Sequence, residues 1–288
     1  MKKLLFVLSI TLCAFASHAK IEKAQLPFIN YVSLPVEVAP GVNITTAGQL
    51  RIPRDAKGPV PAVILLHTTA GIDSTGSFYA KKLNNAGIAT LELDLWGGRG
   101  LSGGATSRPA APQETLPDAY TALAYLAQRP DIDANKIGIM GFSWGAVVTM
   151  LTATKQYDDL AGLPFKFAAH VAHYPICYGY NNVPGFEFEN LTGAPVLIQS
   201  AELDHYDFPG ACPLMVSQIP EADQAVVEVI EYKNVFHTWD RLEPEIEVFD
   251  PVAYLGVGGM VTLAPDKKTA RKSRKKVVKF FTEVFETN

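Results

Sequence analysis

Residues 137–146, Ile-Gly-Ile-Met-Gly-Phe-Ser-Trp-Gly-Ala, constrain this chain more than any other stretch. Ile137, Ile139 and Met140 form an apolar run that leads into Gly141-Phe142-Ser143-Trp144-Gly145, and Ala146–Leu151 is again mostly apolar. The pattern predicts a short buried strand, a tight turn and then a helix. Glycine on both flanks of the turn removes the Cβ atoms that would hold strand and helix apart, and lets the residue between them keep a strained backbone. Ser143 is therefore expected at the tip of the turn, beside the free N–H groups and positive dipole end of a helix. A capping serine in a Gly-rich turn is the plainer explanation. The apolar strand before it and the apolar helix after it favour a serine nucleophile.

The chain around this turn reads as one α/β domain. Pro59–His67 is a continuous apolar run, as a strand buried on both faces of a parallel sheet requires. Ser74–Asn85 has a helical pattern with Gly87 at its C-cap, and Ile88–Asp94 follows as a strand. Trp96–Gly104 is a Gly-rich loop, and Glu114–Gln128 carries apolar residues at helical spacing. Further strands are expected near Phe167–His173, Pro195–Ser200 and Ala225–Tyr232, and a final helix over Asp266–Phe285. Residues 29–57, punctuated by Pro35, Pro40-Gly41 and Gly48, suggest an N-terminal hairpin. Strands alternating with helices predict a single-domain, mostly parallel, doubly wound sheet with helices on both faces. Residues 174–194, rich in Tyr, Asn, Gly and Pro, are too long for an ordinary connection and are expected to be a pocket-lining insertion.

Met1-Lys2-Lys3, the apolar run Leu4–Phe15 and the small residues Ser17 and Ala19 predict a secretory signal peptide over residues 1–19, with the domain over 20–288 and a periplasmic or secreted location. The apolar run is too short to span a bilayer core of ~30 Å, so no membrane role is expected after cleavage. The composition, 48% hydrophobic and 19% charged over 288 residues, fits one globular α/β core, and the net charge of −4 argues against nucleic acid as a partner.

A serine hydroxyl reacts only when a base removes its proton, and the base needs an acid to orient it. In sheets of this kind the working groups lie on loops beyond the carboxyl ends of strands. The strand at 195–200 runs into Ala201-Glu202-Leu203-Asp204, and the strand at 225–232 runs into Lys233-Asn234-Val235-Phe236-His237. Ser143, Asp204 and His237 then stand in the chain order nucleophile, acid, base. Asp207 is a competing acid, disfavoured because it lies farther from the strand end. His170 and His173 sit in an apolar strand and suit a core role, His205 adjoins the acid, and His67 is placed to brace the loop that follows it. The oxyanion of an acyl intermediate needs two N–H donors, expected from the backbones of Trp144 and Thr69.

On these residues the chain resembles the dienelactone hydrolase family of α/β-hydrolases, over roughly residues 59–286. The matching pieces are Pro61–Gly71, Leu93-Asp-Leu-Trp96, Gly141-Phe-Ser-Trp-Gly145, Ala201-Glu-Leu-Asp204 and Phe236-His237. Family members that open cyclic dienelactones carry cysteine at the position of Ser143 and glutamate at that of Thr68, and Ala201 replaces a usual glycine. These departures point away from the namesake substrate and leave ester hydrolysis intact. The resemblance implies a serine hydrolase acting on a small ester or lactone through an acyl-enzyme. A prolyl-oligopeptidase-like peptidase shares the turn and the chain order but would bring a propeller domain. A binding protein on the same fold is the non-enzyme alternative.

Cys177 and Cys212 follow strand ends on the same edge of such a sheet, and in an oxidising compartment a disulfide between them is expected, stapling the 174–194 insertion to the acid loop. No metal or cofactor motif stands out. The basic residues of the last helix (Lys267, Lys268, Arg271, Lys272, Arg274, Lys275, Lys276, Lys279) are expected to be a solvated face, because Ala270, Val277, Val278, Phe280, Phe281 and Phe285 make an apolar stripe opposite. Asn43-Ile-Thr45 and Asn190-Leu-Thr192 match the glycosylation pattern, which carries no meaning if the source is bacterial, as the short signal peptide suggests.

Overall fold

Val60-Pro-Ala-Val-Ile-Leu-Leu66 has no polar side chain to offer either side, so it belongs in the middle of a covered sheet. In the computed structural model Ala62–Leu66 are at most 1% exposed. The structure describes residues 26–287, and the expected signal segment, 1–19, lies outside them.

Strands β1 (Phe28–Ala39) and β2 (Val42–Ile52) form the antiparallel hairpin expected from the turn residues, closed at Gly41 with φ +75°. There follow β3 (Val60–Leu66), α1 (Ser74–Asn85), β4 (Ala89–Asp94), α2 (Leu116–Ala127), β5 (Ile132–Phe142) and α3 (Trp144–Thr152). Next come α4 (Lys155–Ala161), β6 (Ala169–His173), β7 (Val196–Ala201), α5 (Ala211–Gln218), α6 (Glu221–Gln224) and β8 (Val227–Tyr232). The chain ends with β9 (Ile246–Asp250), α7 (Ala253–Gly256), β10 (Gly259–Leu263) and α8 (Lys267–Thr287).

The main sheet has eight strands in the order β1-β2-β4-β3-β5-β6-β7-β8, parallel from β4 to β8, with β2 joining β4 antiparallel. Strand order reverses beside β3: the chain goes from β3 outward to β4, then crosses back to β5. The carboxyl ends of β3 and β5 therefore diverge around a crevice, where sheets of this type bind ligands. One face of the sheet packs α2, α3 and α5 (Leu123, Val148, Met150, Met215). The other packs α1 and α8 (Tyr79, Leu83, Val277, Phe281). Phe281 lies against Gly138, where an added Cβ would come within 2.5 Å of its ring. Helix α8 thus buries its apolar stripe and leaves its lysines outward, Lys276 meeting Glu228 at 2.7 Å.

Two features go beyond the sequence reading. Ala225–Tyr232 is not the last strand: β9 and β10 form a separate antiparallel ribbon, Val248 facing Val261 and Phe249 facing Met260. The ribbon returns to the site through a parallel bridge between Leu263 and His237. Helices α4 and α5, of seven and eight residues, were also absent from that reading.

Candidate active site

The turn between β5 and α3 is as tight as its glycines allow. A Cβ on Gly141 would lie 1.9 Å from the Gly145 carbonyl oxygen, and one on Gly145 would lie 2.3 Å from that of Leu66. Between them Ser143 holds φ 50° and ψ −109°, a conformation a side chain tolerates only when its surroundings enforce it. Backbone bonds enforce it here: Ser143 N–H donates to the His173 carbonyl (3.0 Å), Gly145 N–H to that of His67 (3.1 Å), and Val147 N–H to that of Ser143 (2.9 Å).

The three residues expected to act together are brought together. His237 Nε2 stands 2.9 Å from Ser143 Oγ, and His237 Nδ1 stands 2.7 Å from Asp204 Oδ2. With Nδ1–H donating to the carboxylate, Nε2 is left to accept the serine proton. The other carboxylate oxygen of Asp204 accepts the Tyr206 N–H at 2.9 Å, so its orientation is fixed. The acid and base loops are tied by Glu202 N–H to the Tyr232 carbonyl and Leu203 N–H to that of Val235, both 2.9 Å. Two tyrosine rings enclose the imidazole, Tyr174 at 4.5 Å and Tyr206 at 4.7 Å between centroids. Each is held by its own hydroxyl, Tyr174 donating to Asp240 (2.8 Å) and Tyr206 to Asp250 (3.0 Å).

Asp207, the competing acid, is placed elsewhere. Its carboxylate accepts the N–H groups of Cys177 (2.6 Å) and Tyr178 (2.9 Å). Burial and the charge of Asp204 push its carboxyl up to about 7, against the pull of those two N–H donors. Glu202 faces away, toward Lys233 (3.1 Å) and the Asn234 N–H (2.8 Å).

Trp144 is the first residue of α3, so its N–H lacks an intrahelical acceptor and points out beside Ser143. The peptide that carries the Thr69 N–H is anchored by its carbonyl, that of Thr68, which accepts His67 Nδ1–H (2.7 Å) and Gly71 N–H (3.0 Å). His67 Nε2 in turn accepts the Leu95 N–H at 2.9 Å, which fixes a neutral ring protonated on Nδ1. Burial holds the His67 pKa down at about 4, partly offset by the bond to Thr68. The brace expected of His67 is thus a double hydrogen bond. The other core histidines also take structural positions. His173 donates from Nδ1 to Asp240 (2.9 Å), while His205 stacks on Tyr254 and accepts the Thr262 N–H (3.1 Å). His170 has no hydrogen bond to either ring nitrogen, and burial lowers its pKa to about 4, with the nearby carbonyls of Thr152 and Pro195 acting in the opposite sense.

A cavity of about 280 Å³ opens on Ser143, Thr69 and Trp144. Ile176, Tyr178, Val183 and Phe186, all within 174–194, form one wall of it. That wall is stapled by a Cys177–Cys212 disulfide with a Cα–Cα distance of 5.0 Å. Cys177, Asp207 and Cys212 converge as metal ligands do, but the two sulfurs are bonded to each other and so are not thiolates. The opposite wall holds Arg108, which the sequence reading did not single out. Its guanidinium pairs with both oxygens of Asp250 (2.9 and 2.8 Å) and donates to Thr69 Oγ1 (3.2 Å). Nothing in the local sequence marks Arg108; it is one of two arginines in a Gly-, Ser- and Ala-rich loop, and its partner is 142 residues away. A wider groove of about 480 Å³ lies between α2 and α4, lined by Tyr120, Tyr157 and Leu160 and remote from Ser143.

A family model described as "dienelactone hydrolase family" matches residues 46–285. The chain is 22% identical to YtaP of Bacillus subtilis over 215 residues, which is 67% of this chain and 64% of that one. It thus spans somewhat under two thirds of that relative, and 48% of a Mycobacterium tuberculosis relative 31% identical over 144 residues. Among solved structures, an esterase of Pyrobaculum calidifontis superposes with TM-score 0.61 at 17% identity, covering 90% of this chain and 87% of that one. Esterase 2 of Thermogutta terrifontis, in a form phosphorylated by paraoxon, gives 0.60 at 12%, covering 88% and 94%.

Proposed function

We propose, from the premise that this chain belongs to the dienelactone hydrolase family, that it hydrolyses small carboxylic esters or lactones through an acyl-enzyme on Ser143. The observation that carries this reading is the 2.9 Å and 2.7 Å relay from Ser143 through His237 to Asp204, set at the mouth of a cavity. In this reading His237 Nε2 takes the Ser143 proton as Oγ attacks the ester carbonyl, and Asp204 orients the ring and stabilises the imidazolium that forms. The N–H groups of Trp144 and Thr69 receive the oxyanion, and losing one such donor typically costs ~10²–10³ in turnover. The imidazolium then protonates the leaving alkoxide, and a water activated by the same ring releases the acid.

The cavity of about 280 Å³ supports a small acyl group over a long lipid chain. The likeness in fold to the esterases of Pyrobaculum calidifontis and Thermogutta terrifontis supports ester over peptide bonds. The basic start and short apolar run of residues 1–19 support export to the periplasm or beyond; among the described residues no helix is long and apolar enough to cross a membrane. The test is hydrolysis of p-nitrophenyl acetate and butyrate beside a peptide anilide. Turnover of the esters that is abolished by Ser143→Ala, in protein that keeps its melting temperature, is the expected result. Ester turnover that survives Ser143→Ala, or faster cleavage of the anilide, overturns it.

A further inference from the structure

Arg108 is the only charged residue among those lining the cavity, and an unpaired guanidinium there would invite an anionic substrate. It is not unpaired. Its side chain is 11% exposed and that of Asp250 only 4%, and the two meet through two parallel N–H···O bonds of 2.9 and 2.8 Å. Asp250 also accepts the Tyr206 hydroxyl (3.0 Å) and the Val252 N–H (3.0 Å). Burial raises the Asp250 carboxyl, but those bonds outweigh it and hold it below the ordinary carboxylate range, so it is ionised. The cation of the cavity is therefore cancelled by a carboxylate directly behind it. Two more acids lie behind the lining: Asp204, bonded to His237, and Asp207, bonded to the N–H groups of Cys177 and Tyr178. Against one guanidinium there are three carboxyl groups. The rest of the lining carries no charge, and Val147, Ile176, Val183 and Phe186 give it an apolar stretch beside the hydroxyls of Thr69, Ser143, Tyr178 and Tyr206.

We propose that this arrangement makes the site selective for uncharged acyl groups, with the Arg108–Asp250 pair as the selectivity element. The pair presents leftover N–H groups that can bond a neutral oxygen, while a carboxylate on the substrate would find the one cation of the cavity already neutralised by Asp250. The inference deepens the ester-hydrolase reading and rests on it.

The test compares two isosteric esters, p-nitrobenzyl isocaproate and the monoanionic p-nitrobenzyl hydrogen succinate, by release of p-nitrobenzyl alcohol at low ionic strength. The wild-type protein should favour the neutral ester in kcat/KM by on the order of 10²-fold, the compensation that an uncovered cation about 6 Å away would supply at an effective dielectric near 20 and that the pair withholds. An apolar pocket alone would also favour the neutral ester, so the deciding result is the change in that ratio. Asp250→Asn uncovers Arg108 and should lower the ratio by about tenfold or more, Arg108→Gln leaves Asp250 alone and should raise it, and the double variant should return near the wild-type value. A ratio within about twofold of wild type in both single variants overturns the inference, even if both variants lose activity, because a merely structural role lowers both substrates together. Should one variant not fold, the other must still move the ratio in its own direction and the double variant must bring it back near wild type. Calorimetric Kd values of the two esters for Ser143→Ala and for Ser143→Ala with Asp250→Asn give the same ratio without turnover. Selective binding in protein that turns over neither ester would uphold this inference and defeat the hydrolase reading; turnover with an unmoved ratio would do the reverse.

Discussion

Ser143 is held by backbone groups of its own turn and of the neighbouring strands, whereas Arg108, across the cavity, is held by a carboxylate 142 residues away. The contrast extends to the surroundings of each. Around Ser143 the constraints are main-chain: glycines with no room for a Cβ, and N–H to carbonyl bonds to His67, just after β3, and to His173 of β6. Around the cavity they are side-chain and long-range: the Cys177–Cys212 disulfide, Asp207 on two N–H groups of the 174–194 segment, and Arg108 on Asp250 at the end of β9. Main-chain constraints survive most substitutions, and side-chain links do not. Such a molecule can change what it accepts while keeping how it reacts.

The comparison breaks first at the relay. His237→Ala and Asp204→Asn should each lower kcat/KM by about 10³-fold or more, with no further loss when either is combined with Ser143→Ala, since the three act as a unit. Asp207→Asn should instead raise KM severalfold at similar kcat, because it touches the wall and not the ring. If steady-state kinetics make Asp207 the damaging position and Asp204 the silent one, the acid lies on the wrong side of this comparison.

Gly141→Ala places a methyl within 1.9 Å of the Gly145 carbonyl. Urea titration should show a loss of about 3 kcal/mol or more, the range for a forced backbone clash in a close-packed turn. A midpoint unchanged from wild type would mean that the turn is not rigid. On the other side, replacing Cys177 and Cys212 by serine together should cost roughly 3–4 kcal/mol by the chain-entropy argument. Its kinetic mark should be a higher KM with kcat nearly kept. Loss of kcat alone would place the staple with the chemistry and not with the wall.

What could be read from the sequence follows the same division. The turn at Ser143 is a local pattern of apolar run, spaced glycines and apolar helix, and Asp204 and His237 follow strand ends, so the meeting of these three side chains was legible. Helix α1 was placed at its observed bounds, Ser74–Asn85, because its Gly87 stop is local too. The β9–β10 ribbon was not. Its strands are five residues each, pair across a turn that puts Tyr254 and Leu255 at positive φ, and carry no alternation strong enough to stand out from loop. Arg108, Asp250 and Tyr206 meet only because that ribbon folds back, so no window of sequence contains their relation.

An effect that is absent at neutral pH tests the sheet that carries the Ser143 turn. His170, in β6 opposite Ile139 of β5, is fully buried with neither ring nitrogen bonded, and its pKa is lowered to about 4 by burial. Between about pH 6.5 and 4 the unfolded chain binds a proton there that the folded protein refuses, so stability is lost as pH falls through that window. His170→Leu removes this term. Its stability relative to wild type should rise by up to about 3 kcal/mol from pH 7 to pH 4, read by urea midpoints at each pH. A difference that stays constant with pH would mean that the ring titrates normally.

The most direct measurement of the central claim is the mass of the covalent adduct. On brief exposure to paraoxon, a reagent that phosphorylates activated serine hydroxyls, the wild-type protein should gain one diethylphosphoryl group per chain in step with loss of esterase activity, and peptide mapping should place it on Ser143. His237→Ala should react far more slowly, since the hydroxyl then lacks its base. A stoichiometric adduct on any other residue, or full ester turnover by protein completely labelled at Ser143, would contradict the account.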